Sequence, residues 1–88
     1  MEIRDEELKD IVEFVKGTPR ANQVYGSVVN DLLRQQYKAD RVESIINNYL
    51  DDMTNVEHKK EFDDLQAYRK ACKQEAKKLL GMEVISND

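Results

Sequence analysis

An apolar stripe that stops, turns and restarts limits what this chain can fold into. Ala21, Val24, Tyr25, Val28, Val29, Leu32 and Leu33 recur at steps of three and four residues. That spacing lines one face of a helix. The pattern breaks at Tyr37-Lys38-Ala39-Asp40 and resumes as Val42, Ile45, Ile46, Tyr49, Leu50 and Met53. Two amphipathic helices joined by so short a connection are expected to lie against each other. Flanking stripes extend the same grammar in both directions. Leu8, Ile11, Val12 and Val15 form one before it, and Phe62, Leu65, Tyr68, Cys72, Ala76 and Leu79 a longer one after it. The sequence therefore predicts an all-α fold, a compact bundle of about four helices with a long C-terminal helix, in a single domain over residues 1–88.

Helix-boundary residues set the limits of each element. Asp5 followed by Glu6 and Glu7 is a helix start, and Gly17 a helix stop. Thr18-Pro19 is expected to restart the chain at once, with threonine as cap and proline at the first helical position. Asp40 with Glu43, and Thr54 with Glu57, read as capping boxes for the third and fourth helices. Gly81 ends the fourth, with Met82 as the apolar residue that packs behind such a glycine. Residues 82–88 read as a flexible tail. Gly26 stands inside the second helix, where glycine costs roughly 1 kcal/mol relative to alanine. It either admits a close neighbour or is simply tolerated. Val28, Leu32, Ile45, Ile46 and Tyr49, mid-stripe, are the expected centre of the core.

Composition narrows the class of function. Apolar runs are too short for a membrane helix, so no membrane insertion is expected. The first residues are acidic and lack the apolar core of a signal peptide, and the single cysteine, Cys72, has no internal partner. Both point to the cytoplasm. The net charge of −4 argues against indiscriminate nucleic-acid binding. It also hides a segregation. Residues 1–17 carry six acids against three bases, whereas Arg69, Lys70, Lys73, Lys77 and Lys78 near the end of the chain face only Glu75.

No constellation of residues specifies chemistry, and no catalytic, cofactor or metal site is expected. His58 lies on one line with Phe62, Leu65 and Cys72, but a metal needs several ligands, and the one cysteine is fourteen residues away. Cys72 has no base positioned by spacing and is expected to fill the core. The doublets Asp51-Asp52 and Asp63-Asp64 point about 100° apart on a helix and cannot converge on one substrate.

Two surfaces remain as candidates. The outer face of the second helix carries Arg20, Gln23, Ser27, Asn30, Asp31, Arg34 and Gln35, with Asn22 and Gln36 beside it, and Arg20, Gln23, Ser27, Asn30 and Arg34 are the expected contact residues. A face rich in amides and poor in lysine and glutamate is cheaper to desolvate than a fully charged one, which suits contact with another protein. The second and third helices also admit a DNA-reading helix-turn-helix, with Arg41, Ser44, Asn47 and Asn48 facing duplex DNA. Against it stand a long first helix, a turn without glycine, and Asp40, Glu43, Asp51 and Asp52, which would oppose phosphates. The expectation is a small non-enzymatic regulator, inhibitor or assembly factor that binds another protein. A DNA-binding regulator and a homo-oligomeric subunit are the alternatives. The latter would be a homodimer through the C-terminal helix, whose small residues Cys72 and Ala76 leave Leu79 and Leu80 in need of cover from a second chain or from the tail.

Overall fold

A computed structural model describes residues 1–82 and contains four helices: α1 (Glu6–Val15), α2 (Ala21–Arg34), α3 (Ala39–Asp51) and α4 (Val56–Leu79). The bundle expected from the stripes is the bundle found. At about 1.5 Å per residue, α4 is roughly 36 Å long and serves as the spine. Both α2 and α3 rest chiefly on α4, and α1 rests on α2. The neighbour relation expected between α2 and α3 is thus a weaker one, because α4 takes the apolar face of each. The molecule measures 45 × 27 × 19 Å. Its thinnest dimension holds two layers of helices packed about 10 Å apart, so much of each helix surface stays open to solvent.

Ile3, Val12, Val15, Ala21, Val28, Val29, Leu32, Leu33, Val42, Ile45, Leu65, Cys72, Ala76 and Leu80 form one continuous core. Val28, Leu32 and Ile45 are central as expected, whereas Ile46 and Tyr49 are only partly buried. Tyr49 stacks on Phe62 with ring centroids 4.3 Å apart and closes α3 on α4. Tyr37 meets Tyr68 at 5.6 Å, and the Tyr68 hydroxyl donates to the Leu32 carbonyl at 3.4 Å, tying α4 to the end of α2. Three residues assigned to buried stripes are exposed: Ile11, Leu50 and Met53.

Local chemistry explains the boundaries. Asp5 caps α1 by accepting from the backbone N–H groups of Glu7 and Leu8. Gly17 follows α1 with φ +75°, a left-handed conformation suited to glycine. Thr18 does not begin α2 directly. Its hydroxyl donates to the Val15 carbonyl at 2.6 Å and accepts from the Arg20 N–H at 3.2 Å, shaping a turn before the helix starts at Ala21. Nor does Asp40 cap α3. The helix begins at Ala39, and Asp40 accepts from the Arg41 N–H within the first turn. Before α4 the cap is Asn55, which accepts from the His58 N–H at 3.0 Å, while Thr54 donates its hydroxyl to Asp52 at 2.7 Å. That hydroxyl holds the Asp52 carboxyl below its ordinary pKa.

The end of α4 is a Schellman motif. Met82 N–H donates to the Lys77 carbonyl at 2.8 Å and Gly81 N–H to the Lys78 carbonyl at 3.2 Å, with Gly81 at φ +67°. This end docks on the α1–α2 turn, where the Gly17 N–H donates to the Leu80 carbonyl at 2.9 Å. Leu80 is fully buried within the single chain. Met82, assigned to the tail, is partly buried against the core. The rest of the expected tail, residues 83–88, lies outside the described residues.

Candidate functional site

The row Arg20, Gln23, Ser27, Asn30 and Arg34 is exposed along its whole length. Its alternating steps of three and four keep it on one line of α2, opposite the core residues Ala21, Val28 and Leu32. Two clefts border its second half, from Ser27 to Arg34. One, of about 700 Å³, lies between α1 and α2, with Leu8 and Ile11 on one side and Ser27, Asn30 and Arg34 on the other. A smaller one of about 410 Å³ lies between α2 and α4, lined by Tyr25, Gly26, Val29, Asn30, Leu33, Arg34, Arg69 and Lys73. Asn30 and Arg34 border both clefts and so stand on the ridge between them. The two-layer build produces this relief, since each helix that leans on a neighbour leaves a groove where the cylinders diverge.

Asp31 and Gln35, adjacent on the same face, have a structural role. The Asp31 carboxylate accepts from the backbone N–H groups of Arg4 at 3.0 Å and Asp5 at 3.2 Å. Gln35 donates its amide to Asp31 at 3.1 Å and to the Glu2 carbonyl. These bonds bind the N-terminal arm along α2 and allow Ile3 to enter the core. The arm forms one end of the α1–α2 cleft through Arg4 and Asp5. Its signal in the sequence is a lone isoleucine among charges, without periodicity.

Gly26 opens on the α2–α4 cleft, and a methyl group built there would meet nothing within 4 Å. Among the described residues no helix uses the space that glycine leaves. The Lys77 ammonium, from α4, lies 6.0 Å from the centre of the Tyr25 ring. Burial pushes the Tyr25 hydroxyl above its ordinary pKa.

Arg41, Ser44, Asn47 and Asn48 are all exposed on α3. Arg41 is engaged, its guanidinium paired with Glu61 of α4 at 2.7 Å. Asp63 and Asp64, one turn along from Lys59 and Lys60, pair with them at 2.9 Å in each case. Each aspartate raises the pKa of its lysine through a hydrogen bond and its charge. His58 is partly buried at the first turn of α4, and its Nδ1 has no hydrogen-bond partner among the described residues. Fourteen residues along one helix put it roughly 21 Å from Cys72, too far to share a ligand. Among the described residues no group of three or more histidine, cysteine or acidic side chains could hold a metal ion, and no helix is long and apolar enough to cross a membrane.

Cys72 sits in the core, fully buried, and burial pushes its thiol pKa up. A thiol that is both inaccessible and protonated is a poor nucleophile. Alkylation by iodoacetamide at pH 8 is therefore expected to proceed only through unfolding, with a rate that rises with denaturant. Labelling of the native protein as fast as that of a free thiol would contradict the core placement.

No family model matches this sequence, and no curated protein or solved structure matches it either.

Proposed function

We propose that this protein acts in the cytoplasm by binding another protein, as a non-enzymatic regulator, inhibitor or assembly factor, through the outer face of α2. The observation that carries this reading is the exposed row Arg20, Gln23, Ser27, Asn30 and Arg34, whose end at Asn30 and Arg34 stands between two clefts. Amide and hydroxyl side chains lose less on desolvation than a layer of lysine and glutamate, and neighbouring concavities give a partner's side chains somewhere to go.

The test is Ser27→Glu, measured against a partner first isolated from the native cell and then purified. Ser27 is solvated, so the fold should change by less than about 0.5 kcal/mol. A charge at the centre of a buried interface should weaken binding about tenfold or more. Unchanged affinity would remove α2 as the contact face.

A DNA-reading role for α3 draws on the exposure of Ser44, Asn47 and Asn48. It is the weaker alternative, since Arg41 is held by Glu61 and the acids around it repel phosphates. Tight duplex binding that falls steeply with salt would reverse that order. Pairing through α4 is the other alternative; Leu80 is already buried within the single chain, while Leu79 is only partly buried. A solution mass above 10.3 kDa that Leu79→Glu returns to monomer would support it.

A further inference from the structure

We propose that the cleft between α2 and α4 seats an acidic amphipathic helix of the partner protein. This rests on the protein-binding reading and adds the chemistry of what is bound. The cleft has an apolar floor and a cationic rim. Tyr25, Val29 and Leu33 follow one another at four-residue steps along α2 and form the floor, with Tyr25 partly exposed and the edges of the largely buried Val29 and Leu33 below it. Arg34 stands on one wall, and Arg69 and Lys73 on the other. No carboxylate lines the cleft, and none of these three cations forms an ion pair among the described residues. Among the described residues Lys16, Arg41, Lys59 and Lys60 form ion pairs, all of them away from this cleft.

Several features select a helix with acids over other anions. Arg69 and Lys73 are one turn apart, about 6 Å along α4, which matches carboxylates at i and i+4 on an incoming helix. Gly26 leaves the backbone of α2 bare at the cleft, and small residues are where helix axes approach closely. The apolar floor calls for leucine- or phenylalanine-like anchors, as in other helix-in-groove complexes. Nucleic acid supplies phosphates along its whole length and would meet the acids of a chain with a net charge of −4. Charge complementarity at the rim would steer encounter, and burial of the apolar anchors would supply most of the affinity.

The probe is a synthetic helical peptide with one leucine/phenylalanine stripe flanked by glutamates at i and i+4. The control is the same peptide with lysine for glutamate. Amide shifts of the 15N-labelled full chain report the location. The acidic peptide is expected to move Gly26, Val29, Asn30, Leu33, Arg69 and Lys73 and to weaken with salt, while the lysine peptide leaves them in place. Arg34→Glu with Lys73→Glu should weaken the acidic peptide about tenfold or more and admit the lysine peptide. Circular dichroism checks that the double variant folds, and Arg34→Glu alone, at an exposed position, should act in the same direction.

The proposal is overturned by shifts confined to the α1–α2 cleft, by equal response to both peptides, or by none at millimolar peptide. It is likewise overturned if duplex DNA or anionic vesicles move the same amides more strongly than the peptide, or if a second copy of the chain occupies the cleft by light scattering. A natural partner that weakens with Ser27→Glu but not with the double variant would sink this proposal and leave the protein-binding reading standing. A partner indifferent to both would sink the two together.

Discussion

Leu32→Ala will lower the stability of this protein by about 2–5 kcal/mol in a denaturant melt. The side chain is fully buried in the middle of α2, on the face that meets α4. Truncation removes apolar burial and leaves a void that the neighbouring Val28, Ile45 and Leu65, fully buried or nearly so, have little freedom to fill. A chain of 88 residues has about 5–10 kcal/mol in total, so this one change takes a large share of it. The informative control is Leu50→Ala. It deletes the same atoms from a stripe with the same spacing, yet Leu50 is 61% exposed. It should move the midpoint by no more than about 0.5 kcal/mol. Equal costs at the two positions would mean that another part of the chain covers Leu50 and that the described packing is wrong.

That contrast marks what periodicity can and cannot tell. A stripe reports which face of a helix is apolar but not how wide the neighbour is that covers it. Leu50 sits about 80° round the helix from Val42, at the margin of its stripe, and Ile11 is similarly off-centre from Val12 and Val15. Margins are covered only where another helix curves over them, and a two-layer molecule has few such places. Met53 lies beyond the last residue of α3, where helical spacing no longer applies. Partner choice was equally hidden. Short connections suggested α2 on α3, but the long apolar face of α4 offers both a larger surface. The Asp5 cap of α1 was legible, whereas the cap of α4 fell one position off because Asp52, Thr54 and Asn55 are all competent cap or turn residues, and pattern alone does not rank them. The exposed row on α2 was legible, since five polar residues at helical spacing opposite an apolar stripe can point only outward. The clefts beside it were not, being products of how three helices diverge. The N-terminal arm was beyond reach for a different reason. Its anchors, Asp31 and Gln35, are far from Glu2, Arg4 and Asp5 in sequence and belong to no periodic pattern.

Gly81→Ala will cost more than Gly17→Ala, although both glycines adopt nearly the same backbone conformation. Their φ angles are +67° and +75°, so alanine pays the left-handed penalty of about 1–2 kcal/mol at either position. The surroundings differ. A Cβ at Gly17 meets open space, whereas at Gly81 it would lie 3.1 Å from the backbone nitrogen of Gly17 and 3.4 Å from its Cα. Backbone cannot swing aside as a long side chain can. The α1–α2 turn and the end of α4 would have to separate by a few tenths of an ångström. That movement strains the bond from the Gly17 N–H to the Leu80 carbonyl, 2.9 Å long, which joins the two chain reversals. It also loosens the seat of Leu80, which is fully buried there. An added penalty of about 1–3 kcal/mol over Gly17→Ala is expected, in the range of core overpacking. Denaturant melts of the two variants give the difference directly, and hydrogen exchange locates it. In Gly81→Ala the Gly17 amide should lose protection ahead of the centre of α2. If the two substitutions cost the same, the close approach contributes nothing, and the end of α4 is held by its apolar contacts alone.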